Sequence, residues 1–215
     1  MAYSPKSVSP YFNISQRIEN LANRFWPIAG IYFRLIYKKK LEKELSMAKL
    51  KPGSSVLHIG CGPCPYTAIY LAKQGLTVKA LDYNTNAVQK AKELVKKNNL
   101  EDSITIDCKD GKYSKIAEYD AIWVSLNVSP KEQVLEQNFL SLKDSGILIY
   151  RNVTRWLSSY FISVLPEKWP DPHYKETRTS LMGAESVMVK KMFMIKPINC
   201  NINKMINYKL FIQKY

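Results

Sequence analysis

The chain reads as an α/β protein, a doubly wound and mostly parallel sheet with a helical cap at its N-terminus. Three observations predict this class. Short apolar runs alternate with lysine-rich amphipathic stretches from Ser54 to Arg151, as strands and crossover helices do in a parallel sheet. The first run ends in the glycine turn Gly60-Cys61-Gly62-Pro63, and the second ends in a carboxylate, Asp82, 22 positions after Gly60. Finally, two β-rich segments near the C-terminus are separated by only a short link, which predicts a closing antiparallel hairpin.

Taken in order, residues 1–12 are rich in Ser, Pro and Tyr and read as an irregular arm. Ile14, Ile18, Leu21 and Phe25 fall on one helical face that Asn13 can cap, and Pro27 and Gly30 are expected to break that helix. A second helix is predicted from about Ile31 to Lys49. Ile31, Leu35, Leu41 and Leu45 lie on one side, and Lys38, Lys39, Lys40 and Lys43 on another. These two helices either cover the sheet edge, close as a lid over a ligand, or lie on lipid.

Ser54 to Ile59 is a buried strand. Pro65 to Gln74 is a helix with Pro65 in its first turn, where a missing N–H costs little, and Gly75 ends it. Leu76 to Leu81 is the second strand, Thr85 to Asn98 a helix with Ala87, Val88, Ala91, Leu94 and Val95 inward, and Ser103 to Asp107 the third strand. Asp110 and Gly111 follow in a loop. Tyr119 to Leu126 is a fourth strand, Lys131 to Leu142 a helix, Ile147 to Arg151 the fifth strand, and Val153 to Leu165 a further helix. Pro166 to Pro172 is a Pro/Trp-rich loop. Thr177 to Leu181 and Glu185 to Ile195 form the hairpin, and the tail from Pro197 carries one more potential strand at Tyr208 to Ile212. This divides the chain into a cap (1–50), a sheet domain (51–196) and a basic tail (197–215).

The net charge of +14 is unevenly placed. Residues 1–53 carry ten Lys/Arg against three acids, residues 54–150 eleven against eleven, and residues 151–215 eleven against four. Each flank is therefore basic around a neutral centre. That suits either a solvated lysine-rich surface or attraction of an anionic partner such as RNA, a membrane surface or a small acidic substrate. Cys61, Cys64, Cys108 and Cys200 have no framework spacing and predict reduced thiols in a cytoplasm. With only His58 and His173 beside them, no metal site is expected. No secretory leader is evident, and the apolar stretch Phe25 to Phe33 is too short to span a bilayer.

The strand–glycine turn–helix–strand unit suits a nucleoside. Glycines let the backbone come close to it, and a carboxylate at the tip of the second strand can accept both ribose hydroxyls. Cys61-Gly62-Pro63-Cys64 is also the tetrapeptide of thioredoxin-like redox proteins, which is a rival reading. Gly60 and the spacing to Asp82 are features that redox chemistry does not need, so the nucleoside reading is preferred.

With these residues in view, the chain resembles the class I S-adenosylmethionine-dependent methyltransferases over about residues 50–195. The carriers are Val56-Leu57-His58-Ile59-Gly60-Cys61-Gly62-Pro63, Ala80-Leu81-Asp82-Tyr83, Asp107-Cys108-Lys109-Asp110-Gly111, Tyr119 to Val124, and Leu142 to Leu148, in family order. The resemblance implies a Rossmann-like sheet of seven strands and S-adenosylmethionine as cofactor. By position, Gly60 and Gly62 would approach its methionyl part, Asp82 its ribose, Asp110 its adenine, and Ser125 to Asn127 the rim near the sulfonium. Cys61, Pro63, Tyr83 and Gly111 join them as cofactor-binding candidates.

A narrower stretch, Gly60-Cys61-Gly62-Pro63-Cys64-Pro65-Tyr66-Thr67, is similar to the Gly-x-Gly-Pro-x-Pro-x-Thr run of nicotianamine synthases. Those enzymes transfer the aminobutanoyl arm of the same cofactor. Arg151 stands where they carry an arginine after the fifth strand and is a candidate carboxylate partner. Tyr32 and Tyr37 loosely echo their tyrosines before the core. Catalytic candidates are therefore Tyr32, Asn127 and Arg151.

No Asn/Asp-Pro-Pro-Tyr run follows the fourth strand, where Ser125-Leu126-Asn127-Val128-Ser129-Pro130 stands instead. That argues against a nucleic-acid base methyltransferase. Tyr66, Tyr83, Trp123, Trp156 and Tyr160 could wall an amine substrate or simply fill the core, and His173 could serve as a base. Three functions are expected to compete: a methyltransferase acting on a small-molecule or lipid acceptor, an aminobutanoyl transferase, and a basic RNA- or membrane-binding module that keeps the fold.

Overall fold

A computed structural model of the chain describes residues 28–113, 119–140, 142, 145–153, 174–181 and 184–191. The elements are α1 (Ile28–Ala48), β1 (Ser55–Ile59), α2 (Tyr66–Lys73), β2 (Thr77–Asp82), α3 (Thr85–Lys97), β3 (Ile104–Cys108) and a 3-10 turn (Gly111–Tyr113). They continue with β4 (Ala121–Val124), α4 (Lys131–Leu140), β5 (Ile147–Val153), β6 (Tyr174–Leu181) and β7 (Ala184–Lys191). The strands form one seven-stranded sheet in the order β3-β2-β1-β4-β5-β7-β6. β1 to β5 are parallel, and β7 runs antiparallel to both β5 and β6.

The order reverses between β1 and β4. The chain builds outward through β2 and β3, then returns to the other side of β1. The loops after β1 and β4 leave from neighbouring strand tips at this reversal, the place where a doubly wound sheet offers a ligand site at the carboxyl ends of its strands.

Alternate strand residues feed two cores. Val56, Val78, Ala80, Ala121, Trp123 and Ile149 pack with Ala68 and Leu71 of α2 and Ala91 and Val95 of α3. Leu57, Ile59, Leu81, Ile122, Val124 and Leu148 pack on the opposite face with Val134, Leu135 and Phe139 of α4. Burial on both faces is why these strands read as continuous apolar runs.

Several boundaries differ from expectation. The second expected helix starts at Ile28 rather than at about Ile31, with Gly30 inside its first turn, because one glycine costs a long helix only about 1 kcal/mol. Pro65 occupies the N-cap of α2 rather than its first turn. β4 is shorter than Tyr119 to Leu126, and β5 runs on to Val153 because β7 pairs with it along its whole length. The cap of α3 is Asn84, whose side chain accepts from the amides of Asn86 and Ala87 at 3.0 and 3.2 Å.

Of the face expected to turn inward on α1, Leu41 is buried and Leu45 packs half-buried against the core, but Leu35 is exposed, and Lys40 and Glu44 are buried beside Leu41 and Ala48. The helix at Asn13 to Phe25, the helix from Val153, the loop at 166–172 with His173, and the tail from Pro197 lie outside the described residues, as do Trp156 and Tyr160. Among the described residues no helix is long and apolar enough to cross a membrane, and no group of three or more His, Cys, Asp or Glu is placed to hold a metal.

Candidate active site

β1 and β2 run side by side with Ile59 level with Leu81, so the glycine turn rises next to Asp82. Gly60 and Cys61 both donate their amides to the Leu81 carbonyl, at 2.8 and 3.0 Å, which folds the turn over the tip of β2. Gly62 N then donates to Asp82 Oδ2 at 2.8 Å, and Asn84 N donates to Oδ1 at 3.0 Å. One carboxylate thereby joins the turn to the start of α3, and each of its oxygens keeps a further acceptor position.

The two glycines do different things. Gly60, at φ +76°, has Val128 Cγ2 only 2.6 Å from where a Cβ would sit, so it is required by the loop after β4. Gly62, at φ +63°, has nothing within 4 Å of that position. Its open face is the place where a ligand can meet backbone.

The loop after β4 is stitched to β1. Ser125 N donates to the Ile59 carbonyl at 3.0 Å, and Ser125 Oγ lies 3.0 Å from His58 Nε2. Burial, reinforced by the charge of Arg151 and opposed by Glu44, pushes the His58 imidazole down to about 3, so it is neutral. His58 Nδ1 has no hydrogen-bond partner. The tautomer that strands no N–H therefore has its proton on Nε2, donated to Ser125.

Asp110 turns back on its own loop, accepting from Lys112 N at 2.9 Å with Lys112 Nζ 3.7 Å away. A Cβ on Gly111 would come within 2.3 Å of Ile59 Cγ2, so this loop lies tight against the end of β1. Tyr83 is 68% exposed beside Asp82, and Pro63 and Asn127 are exposed as well. Gly60, Cys61, Gly62, Pro63, Asp82, Tyr83, Asp110, Gly111 and Ser125 thus all sit at the carboxyl ends of β1 to β4. Trp123 is core. Tyr32 lies on α1, and its side chain is outside what the structure describes.

Arg151 is 4% exposed, and its guanidinium is taken up internally. Its Nε donates to Glu44 Oε1 at 2.8 Å and its Nη2 to Glu44 Oε2 at 2.7 Å, while Nη1 donates to Tyr37 Oη and to Thr67 Oγ1. The carboxylate facing Arg151 is therefore that of Glu44. Ser186 Oγ and Trp123 Nε1 complete the shell of Glu44, at 2.6 and 3.0 Å. Burial alone would raise the Glu44 carboxyl, but the Arg151 charge, its hydrogen bonds and those of Ser186 hold it below the usual range. This network ties α1 to α2, β4, β5 and β7 at once.

Sequence reasoning missed Glu44, Lys40 and Lys131. Only the four-residue spacing of Lys40, Glu44 and Ala48, on one face with Leu41, could have exposed the first two.

Lys131, 2% exposed, donates to the carbonyls of Leu126 and Arg151 at 2.6 and 2.8 Å. Lys40 is 8% exposed. Desolvation, then the charge of Arg151, lowers Lys40 to about 8 against the pull of Glu44. Desolvation, then the charge of Lys40, lowers Lys131 to about 8.

Between about pH 8 and 10.5 the unfolded chain therefore holds more protons at these lysines than the folded one, so stability climbs with pH. Burial pushes the Cys61 thiol the other way, up to about 12, with Asp82 adding to it, which opposes the trend only above about pH 9. The unfolding free energy in urea is expected to be about 1–2 kcal/mol higher at pH 9 than at pH 7.5. A flat or falling profile would show that neither ammonium is strained by burial.

An open face at Gly62 and a fixed carboxylate with acceptor positions left at Asp82, both at the switch point of the sheet, fit an adenosyl cofactor. Comparison with known proteins agrees with that geometry. Residues 36–153 match the family model described as protein-L-isoaspartate(D-aspartate) O-methyltransferase. The methyltransferase GfsG of Streptomyces halstedii is 27% identical over 142 residues, 63% of this chain and 51% of that protein. The L-histidine 2-aminobutanoyltransferase of Yersinia pestis is 36% identical over 69 residues, 32% of this chain and 26% of that protein. The chain thus matches about half of the first relative and a quarter of the second.

Among solved structures, MtNAS in complex with MTA and tNA superposes with a TM-score of 0.66 at 20% identity, covering 75% of this chain and 62% of that one. A point variant of MtNAS in complex with S-adenosylmethionine has the same score at 21% identity, covering 87% and 68%. An S-adenosylmethionine-dependent methyltransferase fold from Methanococcus maripaludis superposes at 0.62 and 16% identity, covering 92% and 100%.

Proposed function

Because the chain belongs to the protein-L-isoaspartate(D-aspartate) O-methyltransferase family and is an S-adenosylmethionine-dependent transferase, we propose that it methylates a small-molecule acceptor presented at the carboxyl ends of β1 and β4. The observation that carries this reading is the 2.8 Å bond from Gly62 N to Asp82, which sets an open glycine backbone beside a fixed carboxylate.

When bound, S-adenosylmethionine supplies an activated methyl group for in-line displacement. The chain's part is positioning. Asp82 accepts the ribose hydroxyls, Gly60 to Pro63 admit the methionyl arm, and Asp110 and Gly111 border the adenine beside exposed Tyr83. Ser125, held by His58 and Ile59, and Asn127 form the rim that the acceptor crosses. The Glu44–Arg151 network ties α1 to β4, β5 and β7 so that the rim keeps its shape. The cap (1–50), the sheet domain (51–196) and the basic tail (197–215) divide this work, and Tyr32 on α1 is assigned to the acceptor side.

A second reading is transfer of the aminobutanoyl arm. Thr67 and Arg151, two residues shared with the nicotianamine synthase pattern, meet in one network with Tyr37. Mass spectrometry of the spent cofactor after incubation with cell extract separates the readings. Methyl transfer leaves S-adenosylhomocysteine, and aminobutanoyl transfer leaves methylthioadenosine. Recovery of neither, with salt-sensitive RNA or vesicle binding instead, would favour a binding module.

Replacing Cys61 and Cys64 by serine is expected to leave cofactor affinity in calorimetry little changed, because a thiol pushed up to about 12 supplies no thiolate at neutral pH. Abolished binding or turnover would return the redox reading.

A further inference from the structure

His58 is a buried polar side chain that a strand of continuous apolar burial does not call for. It lies level with Ala80 of β2 and Trp123 of β4, two residues after Val56 and so on the sheet face that α2 covers. It is 2% exposed, and its Nδ1 is enclosed with no hydrogen-bond partner among the described residues. Its polar bonding there goes through Nε2, 3.0 Å from Ser125 Oγ. Ser125 is half-buried, and its amide is fixed to the Ile59 carbonyl. Among the described residues its hydroxyl bonds to His58 alone. Ser125 Oγ also stands 4.0 Å from where a Cβ on Gly60 would sit, so the hydroxyl lies against the glycine turn.

A serine hydroxyl beside an imidazole nitrogen is also how a nucleophile is paired with its base. That role needs a third group to orient the ring and an imidazole able to take up a proton. Nδ1 meets no orienting group among the described residues, and desolvation together with the Arg151 charge keeps the ring neutral. The bond therefore runs the other way, with Nε2–H donating and Oγ accepting. Ser125 is left with one O–H to give, next to the glycine backbone. In the amino-acid arm of the cofactor the carboxylate can accept that bond, whereas the ammonium has no lone pair for it.

We propose that His58 is a positioning residue that holds the Ser125 hydroxyl as a donor to the carboxylate of the cofactor's amino-acid arm, beside Gly60. This rests on the transferase reading for the ligand and goes beyond it in naming the side chain that reads the carboxylate and the one that orients it.

Calorimetry compares S-adenosylhomocysteine, which carries the arm, with methylthioadenosine, which has no carboxylate. Ser125→Ala and His58→Phe are expected to weaken S-adenosylhomocysteine about tenfold and leave methylthioadenosine unchanged. His58→Gln, whose side-chain N–H can stand in for Nε2–H, should restore most of the affinity, which a merely space-filling role would not predict. In the wild type, nitrogen NMR of the imidazole should find a neutral ring with its proton on Nε2. That readout and Ser125→Ala decide the matter if His58→Phe does not fold, which circular dichroism shows. A proton on Nδ1, or covalent labelling of Ser125 by a fluorophosphonate, would overturn the proposal by making the serine the donor to a base. So would Ser125→Ala that leaves S-adenosylhomocysteine unaffected or weakens both ligands alike, or His58→Gln no better than a folded His58→Phe. A wild type that binds neither ligand removes the transferase reading and this proposal with it, whereas tight methylthioadenosine binding with no effect of the variants removes this proposal alone.

Discussion

Replacing Arg151 by methionine is expected to lower the unfolding free energy by about 3–5 kcal/mol, because it leaves the fully buried Glu44 carboxylate without its counter-charge. A domain of this kind holds only about 5–15 kcal/mol in total, so the variant sits near the edge of folding. Lysine in place of Arg151 should rescue little. A single ammonium cannot span Glu44, Tyr37 and Thr67 as the planar guanidinium does. The informative companion is the double variant Glu44→Leu with Arg151→Met. Removing both charges should recover much of the loss, since a buried pair costs most when half of it remains. Urea denaturation of the three proteins decides it. A single Arg151→Met variant within 1 kcal/mol of the wild type would mean that Glu44 is hydrated or protonated rather than held as drawn.

Asp82→Ala has the second large effect, on binding rather than folding. Two hydrogen bonds to a charged acceptor contribute about 1.5–3 kcal/mol each, so losing the ribose contacts should weaken S-adenosylhomocysteine by about a hundredfold or more in calorimetry. The variant also frees the amides of Gly62 and Asn84, which slackens the turn, yet Gly60 and Cys61 remain tied to Leu81 and the fold should persist. Asp82→Asn is a sharper probe. Its amide nitrogen would confront one of those two backbone donors, so it should bind little better than alanine. Unchanged affinity in either variant would remove Asp82 from the cofactor site and take the carrying observation for the function with it.

Much of this architecture was legible because it is encoded locally. A strand buried on both faces must be apolar throughout, a turn at positive φ favours glycine, and a helix shows its inward side every three or four residues. Asp82 could be picked out because it interrupts an apolar run at a strand tip. The face of α1 was misread for the opposite reason. Lys40 and Glu44 look solvated in sequence, since nothing near them in the chain reveals that Arg151, 107 residues beyond Glu44, will neutralise the carboxylate. Arg151 itself was noticed, but its partner was expected to be a ligand.

What the sequence determined by itself was the alternation of elements, the glycine turn and its carboxylate, and through them the expectation of a nucleoside ligand. Each of those depends on patterns spanning a few dozen residues at most. Only the tertiary structure decided that Arg151 is spent inside the protein, that α1 is fastened through a buried ion pair, and that Lys40 and Lys131 are buried. Charges in water are screened and interchangeable. Their roles separate only when folding removes the water and sets which of them share a space.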